Sequence, residues 1–231
     1  MAFCGFREQF FDRPRPESRR GEVLQSAEPE STCSPQPSQL WSAIMKIISG
    51  ALGGQSIPGR STPKLRPTSD KVKEAIFDQL EARFVDSWPN MKVLDLFAGT
   101  GSLGFECLSR GAQNVVFVDH HLQTIKALKK TGEQFGVTDR MECLCKGALE
   151  AIRWLHKRGD RFDLIFLDPP YREDWVVASL NGLRDSMILN RKGLIISERD
   201  KREIITSVQA HWKTDSERRY GDTVITMLSI P

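Results

Sequence analysis

The twelve residues Val93-Leu-Asp-Leu-Phe-Ala-Gly-Thr-Gly-Ser-Leu-Gly104 constrain this chain more than any other stretch. Val93, Leu94 and Leu96 form a short apolar run that suits a buried strand of a parallel sheet. Gly99, Gly101 and Gly104 follow, and a helix-like pattern begins at Ser102 and runs to Arg110. Glycines at a strand-to-helix turn tolerate φ > 0 and let the backbone approach a ligand closely. A small-molecule site is therefore predicted at this turn.

Two ligands compete for it. Gly99–Gly104 matches the dinucleotide fingerprint G-x-G-x-x-G, and Asp119 stands 20 residues beyond Gly99, at the spacing of a ribose-binding acid. Asp95 points elsewhere. Four residues before the first glycine, its carboxylate is expected to project into the crevice at the strand's carboxyl end. A pyrophosphate would meet a fixed negative charge there, whereas the ammonium group of S-adenosylmethionine (SAM) would be attracted. Asp119, closing the apolar run Val115–Val118, can hold ribose hydroxyls in either case. SAM is the favoured ligand, with a dinucleotide-dependent oxidoreductase as the alternative.

The remaining composition sets bounds. A chain of 231 residues accommodates one α/β domain with additions, and its net charge of +3 is only mildly basic. Cys4, Cys33, Cys107, Cys143 and Cys145 form no paired ligand spacing, and reduced thiols in a cytoplasmic protein are expected. No apolar run reaches the ~18 residues of a membrane helix.

Residues 1–44 are rich in Pro, Ser and Glu with little apolar periodicity, a composition that predicts disorder. They suit neither a secretory signal nor an organelle transit peptide, and a start placed too far upstream or a flexible tail would account for them. From Met45 an ordered pattern begins. Residues 45–69 read as a small basic β arm punctuated by Gly50, Gly53, Gly54 and Pro58-Gly59. Lys46, Arg60, Lys64, Arg66, Lys71 and Lys73 run through Met45–Lys73 against Asp70 alone, which suits phosphate binding. Arg60, Lys64 and Arg66 are the candidate RNA contacts. Val72, Ile76, Leu80 and Phe84 then repeat at helical spacing behind caps at Thr68 or Ser69.

Beyond Lys92, strand-like runs at Val93–Phe97, Val115–Asp119, Met141–Cys145, Phe162–Asp168 and Gly193–Glu198 alternate with helical patterns such as Ile125–Phe135 and Ala148–Lys157. This predicts a doubly wound, mostly parallel α/β sheet. Trp212–Tyr220 and Thr223–Ile230, separated by Gly221-Asp222, predict a closing antiparallel hairpin. Seven strands in that arrangement, with residues 70–231 as the catalytic domain, suit a Rossmann-like SAM-dependent methyltransferase.

A second chemical site is Asp168-Pro169-Pro170-Tyr171, which follows the buried run Leu164-Ile-Phe-Leu167. The two prolines fix φ and stiffen the turn, holding the Asp168 carboxylate and a backbone carbonyl in one orientation. An exocyclic amine on a nucleobase is a poor nucleophile because its lone pair is delocalised into the ring. The Asp168 carboxylate and the Pro169 carbonyl can accept its two hydrogens and favour a more pyramidal nitrogen in the transition state. Tyr171 would stack on the extruded base.

DLFAGTGSLG and LDPPY resemble the SAM-binding and amino-methyltransferase motifs of class I methyltransferases. MKIISG, LRPTSDKVKEAIF, CLSRGA and the late YGDT together resemble the RsmD family, over Met45–Pro231. That resemblance implies methylation of a guanine N2 amine in 16S ribosomal RNA, as naked RNA or within the assembling 30S subunit, by a monomer. By position it implies SAM contacts at Asp95, Phe97, Ala98, Gly99, Thr100, Gly101 and Asp119, and catalysis at Asp168, Pro169, Pro170 and Tyr171. D-P-P-Y alone is shared with adenine-N6 and cytosine-N4 enzymes, so another exocyclic amine is the alternative target. Where relatives often place an acidic or amide residue for the adenine ring, this chain reads Lys146-Gly-Ala, and backbone groups are expected to replace a side chain there.

His120-His121 beside Asp119 invites a metal reading, but no carboxylate or cysteine completes a ligand set by spacing, and no metal is expected. Trp175 could flank the target base or pack beneath a helix, the latter being favoured. A non-catalytic RNA-binding assembly factor would keep the basic arm, but the intact Asp95, glycine turn and D-P-P-Y argue against it.

Overall fold

Apolar runs too short for helices and bounded by turn residues pair side by side into one sheet. The structure is a computed structural model and describes residues 45–58, 70–84, 86–170, 174–205 and 211–231. Strands β1 (Met45–Lys46) and β2 (Ser56–Ile57) are followed by α1 (Asp70–Phe84), β3 (Lys92–Asp95) and α2 (Ser102–Ser109). Next come β4 (Asn114–Asp119), α3 (Leu122–Phe135), β5 (Met141–Cys145), α4 (Ala148–Arg158) and β6 (Phe162–Leu167). The chain ends with α5 (Trp175–Ser186), β7 (Leu189–Asp200), β8 (Lys213–Tyr220) and β9 (Thr223–Ser229).

The main sheet has the order β5-β4-β3-β6-β7-β9-β8, parallel from β5 to β7 and antiparallel across β9 and β8. Successive strand residues serve opposite faces. Val93, Phe117, Phe166 and Ile196 pack with Ile76 of α1, Phe105 of α2 and Leu128 of α3. Leu94, Val116, Ile165 and Ile195 pack with Ile152 of α4 and Leu180 of α5. Both faces are thus covered, which explains why the parallel strands read as continuous apolar runs. The chain winds outward from β3 through β4 to β5 on one side and through β6 to β7 on the other. The β3/β6 boundary is therefore the topological switch point, where open α/β sheets bind ligands at their carboxyl ends.

The expected hairpin forms, with Tyr220 opposite Thr223 and Gly221 at φ +65 in the connection. Strand β7 is longer than the apolar segment Gly193–Glu198, because it begins at Leu189 and continues through Arg199 and Asp200. Of the expected α1 stripe, Val72, Ile76 and Leu80 are buried and Phe84 is partly so, and Phe77 is fully buried beside them.

Met45–Pro58 is more than a surface arm. Strands β1 and β2 pair antiparallel, with Met45 opposite Ile57, and Ile47, Leu52 and Ile57 enter the core against α1 and α2. Lys73 also departs from the expected phosphate-binding run. It lies one residue after Val72 on the buried side of α1 and is 1% exposed, so it cannot meet RNA phosphate. The expected tail 1–44, Arg60, Lys64, Arg66 and Tyr171 all lie outside the described residues.

Candidate active site

The glycine turn leaves β3 at Asp95 and enters α2 through Gly101, which caps the helix at φ +78. Gly99 has φ +50, so both positions use the left-handed region that glycine adopts without strain. At Gly99 an added Cβ would meet nothing nearer than Phe97 O at 4.0 Å, leaving open space on the ligand side of the turn. Gly104 has a different reason. A Cβ there would lie 2.2 Å from Phe117 Cε1, so its absence lets α2 settle directly on β4.

Asp95 is held differently from the sequence expectation. It is 2% exposed and turned beneath the loop, where Oδ2 accepts the Gly104 N–H at 3.1 Å. It lies four positions before Gly99, but the loop folds back over the strand end and covers the carboxylate. Burial raises its pKa to about 7; the Gly104 hydrogen bond opposes that rise and nearby Asp119 adds to it. Its negative charge is therefore fully present only above neutral pH, and a cation bound at the turn would stabilise it.

Asp119, at the end of the neighbouring strand β4, braces the same turn from outside. Its Oδ2 accepts the Gly99 N–H at 3.2 Å and its Oδ1 accepts the His121 N–H at 2.8 Å. Asp119, His120 and His121 bring potential ligand atoms within 4.8 Å of one another. Its two oxygens already hold the loop backbone, and both rings are 67% exposed. The group reads as loop architecture.

The next rim position belongs to Asp168. Asp95 is level with Phe166 across β3 and β6, so Asp168 stands just past the strand end beside the glycine turn. Pro169 and Pro170 follow without interruption, which puts the rigid turn and the cofactor loop on adjacent strands at the switch point. Phe97 and Trp175 connect the two sides, with ring centroids 6.3 Å apart in an edge-to-face arrangement. Trp175 thus packs against a residue that sequence reasoning placed beside the cofactor.

On the far side of Asp119, Lys146 N–H donates to the Asp119 carbonyl at 3.1 Å, and the Lys146 side chain is tied to Glu150 on α4. Gly147 caps α4, and an added Cβ there would meet no atom within 4 Å. The rim is therefore open beside Gly147. Two carboxylates on adjacent strands, a glycine turn with room above it and backbone groups beyond form a donor set that suits SAM.

A doubly wound sheet closed by an antiparallel hairpin, with this turn and Asp168-Pro-Pro at its switch point, defines a class I SAM-dependent methyltransferase. Among families of that class, the model of "Conserved hypothetical protein 95" matches residues 45–229, and the chain belongs to that family. Ribosomal RNA small subunit methyltransferase D of Escherichia coli K12 is 31% identical over 192 residues, covering 80% of this chain and 90% of its own length. YlbH of Bacillus subtilis, provisionally named an rRNA methyltransferase, is 36% identical over 157 residues, covering 68% of this chain and 83% of its own. A hypothetical protein of Thermus thermophilus shares the fold at a TM-score of 0.70 and 23% identity, over 81% of this chain and 100% of its own.

Proposed function

We propose that this enzyme transfers the methyl group of SAM to the exocyclic N2 amine of a guanine in small-subunit ribosomal RNA. One observation carries the reading: the Asp168-Pro-Pro turn stands on β6 directly beside the glycine turn of β3, so amine acceptors and methyl-donor loop share one crevice. The RNA substrate is supported by relatives named for it at 31–32% identity. SAM supplies an electrophilic methyl group, and the chain's own residues prepare the acceptor.

Guanine N2 carries a lone pair conjugated with its ring. The Asp168 carboxylate and the Pro169 carbonyl accept its two N–H hydrogens, which draws the nitrogen towards a tetrahedral shape and frees the lone pair. As positive charge develops on nitrogen, the Asp168 carboxylate stabilises it more than it stabilised the neutral amine, the condition for lowering the barrier. Tyr171 stacks on the extruded base, and Arg60, Lys64 and Arg66 hold flanking phosphates.

Incubation with methyl-labelled SAM and small-subunit RNA, either free or in 30S particles, followed by nucleoside chromatography and mass spectrometry, tests this. N2-methylguanosine is the expected product. N6-methyladenosine would keep the chemistry and change the base, whereas absence of transfer to both substrates would contradict the proposal.

A further inference from the structure

Lys73 is a buried ammonium that ties three elements together. Its Nζ donates to the Lys46 carbonyl in β1 and, at 3.2 Å, to Ser102 Oγ in the first turn of α2. It lies 3.8 Å from Glu106 Oε2, with side chains 1% and 0% exposed. Glu106 in turn accepts the Ile48 and Ser49 N–H groups at 2.7 and 3.0 Å and pairs with Arg110 at 3.2 Å. At the other end of α2, Ser109 Oγ accepts the Leu52 N–H at 2.9 Å and donates to the Ser49 carbonyl. The contact is close: a Cβ on Gly50 would lie 2.1 Å from Ser109 O. Finally, Thr100 in the glycine turn reaches Met45 Sδ at 3.8 Å.

The β1–β2 ribbon, α1 and the helix that carries the cofactor turn are thus bolted together by polar contacts in the interior. Burial pushes the Lys73 ammonium pKa down, against the pull of Glu106. An apolar side chain of similar length would fill the space without that desolvation cost, so stability alone is a weak reason for an ion pair here. Positioning is a better one. Lys46 and Lys71 expose their side chains on the same unit, where they can meet a polyanion.

We infer that Lys73 is a positioning residue that links the cofactor turn to the RNA-facing N-terminal ribbon, so that cofactor and RNA raise each other's affinity. This rests on the RNA substrate proposed above. A ligand that favours one setting of α2 at Gly101 favours the matching setting of the ribbon through the Lys73–Ser102 and Lys73–Lys46 bonds, and linkage makes the effect reciprocal.

The test uses the full chain, labelled small-subunit RNA and S-adenosylhomocysteine. RNA Kd is measured with and without saturating S-adenosylhomocysteine, and the converse by calorimetry. Wild type is expected to show tightening of about fivefold or more in both directions, the scale of ordinary coupling. Lys73→Met should bring the ratio to about one while retaining both separate affinities, and Ser102→Ala should lower it. Glu81→Ala removes the 2.8 Å pair with Arg110 and the Trp88 contact, so it should lose stability and keep the ratio. RNA binding with a wild-type ratio of one, or a ratio that survives Lys73→Met, overturns the inference. If Lys73→Met does not fold, an unchanged ratio in Ser102→Ala does so. Wild-type protein that binds no RNA would instead overturn the substrate proposal, and this inference with it.

Discussion

Replacing Asp95 by Asn should make the ligand-free protein more stable at alkaline pH and worse at binding SAM. The carboxyl is 2% exposed, and burial lifts its pKa from 3.8 to about 7. Between those values the folded chain holds a proton that the unfolded chain has released, so this group's contribution to stability falls as pH rises. The decline begins above the unfolded pKa and ends once pH passes the folded one, where the buried group is ionised. At about 1.4 kcal/mol per tenfold change in acidity, the full span is ~4 kcal/mol, of which roughly 2.5 kcal/mol falls between pH 5 and pH 8. Asn keeps an oxygen for the Gly104 N–H, 3.1 Å away in the native protein, and never ionises.

Urea unfolding of both proteins at pH 5, 6, 7 and 8 measures the effect. The stability difference should move towards the variant by roughly 2–3 kcal/mol across that range. SAM binding should behave oppositely. A cation near Asp95 lowers its pKa, so wild-type affinity should rise from pH 6 to pH 8, while the variant binds more weakly with a flatter profile. Stability profiles that stay parallel from pH 5 to pH 8 would refute the reasoning, since Asp95 would then be ionised throughout.

Three other perturbations follow from the same geometry. Gly104→Ala places a methyl 2.2 Å from Phe117 Cε1, and overpacking of this kind should cost ~1–3 kcal/mol in urea unfolding. An unchanged unfolding midpoint would mean that α2 does not need its close seat on β4. Replacing Arg60, Lys64 and Arg66 together by Ala should weaken RNA binding and flatten its salt dependence by about one slope unit per phosphate lost, with SAM affinity unchanged in calorimetry. An unaltered slope would return these residues to solvent. Removal of residues 1–44 should leave both SAM affinity and methyl transfer unchanged in the same assays.

The parallel strands were legible because both faces of the sheet are covered, so Val93–Leu96, Val115–Val118 and Leu164–Leu167 carry almost no polar interruption. The extension of β7 was not, because Arg191 and Lys192 are exposed near its start, and at its end Arg199 pairs with Glu217 and Asp200 with Arg202. Neither residue pair looks like a strand by hydrophobicity. The ribbon Met45–Pro58 reads as a detached arm because the spacing of Ile47, Leu52 and Ile57 matches neither the strand nor the helical period, and only tertiary contact with α2 reveals them as core. Lys73 looked like one cation in a basic run for a similar reason: its partners Lys46, Ser102 and Glu106 are distant in sequence. For the active site, strand-end position was readable and side-chain direction was not. Asp95 stands at the expected strand end, yet its carboxylate points under the loop, a consequence of Gly104 offering an N–H from the helix that follows.

The central claim is that Asp168 promotes methyl transfer at this crevice, and single-turnover transfer from SAM to small-subunit RNA tests it most directly. Asp168→Asn keeps the shape of the turn and one acceptor oxygen while removing the charge that stabilises the developing positive nitrogen. The transfer rate should fall by ~10²-fold or more, the scale for loss of one preorganised electrostatic partner, with SAM affinity nearly unchanged. Transfer at the wild-type rate by Asp168→Asn would contradict the account and leave Asp168-Pro-Pro as a structural turn.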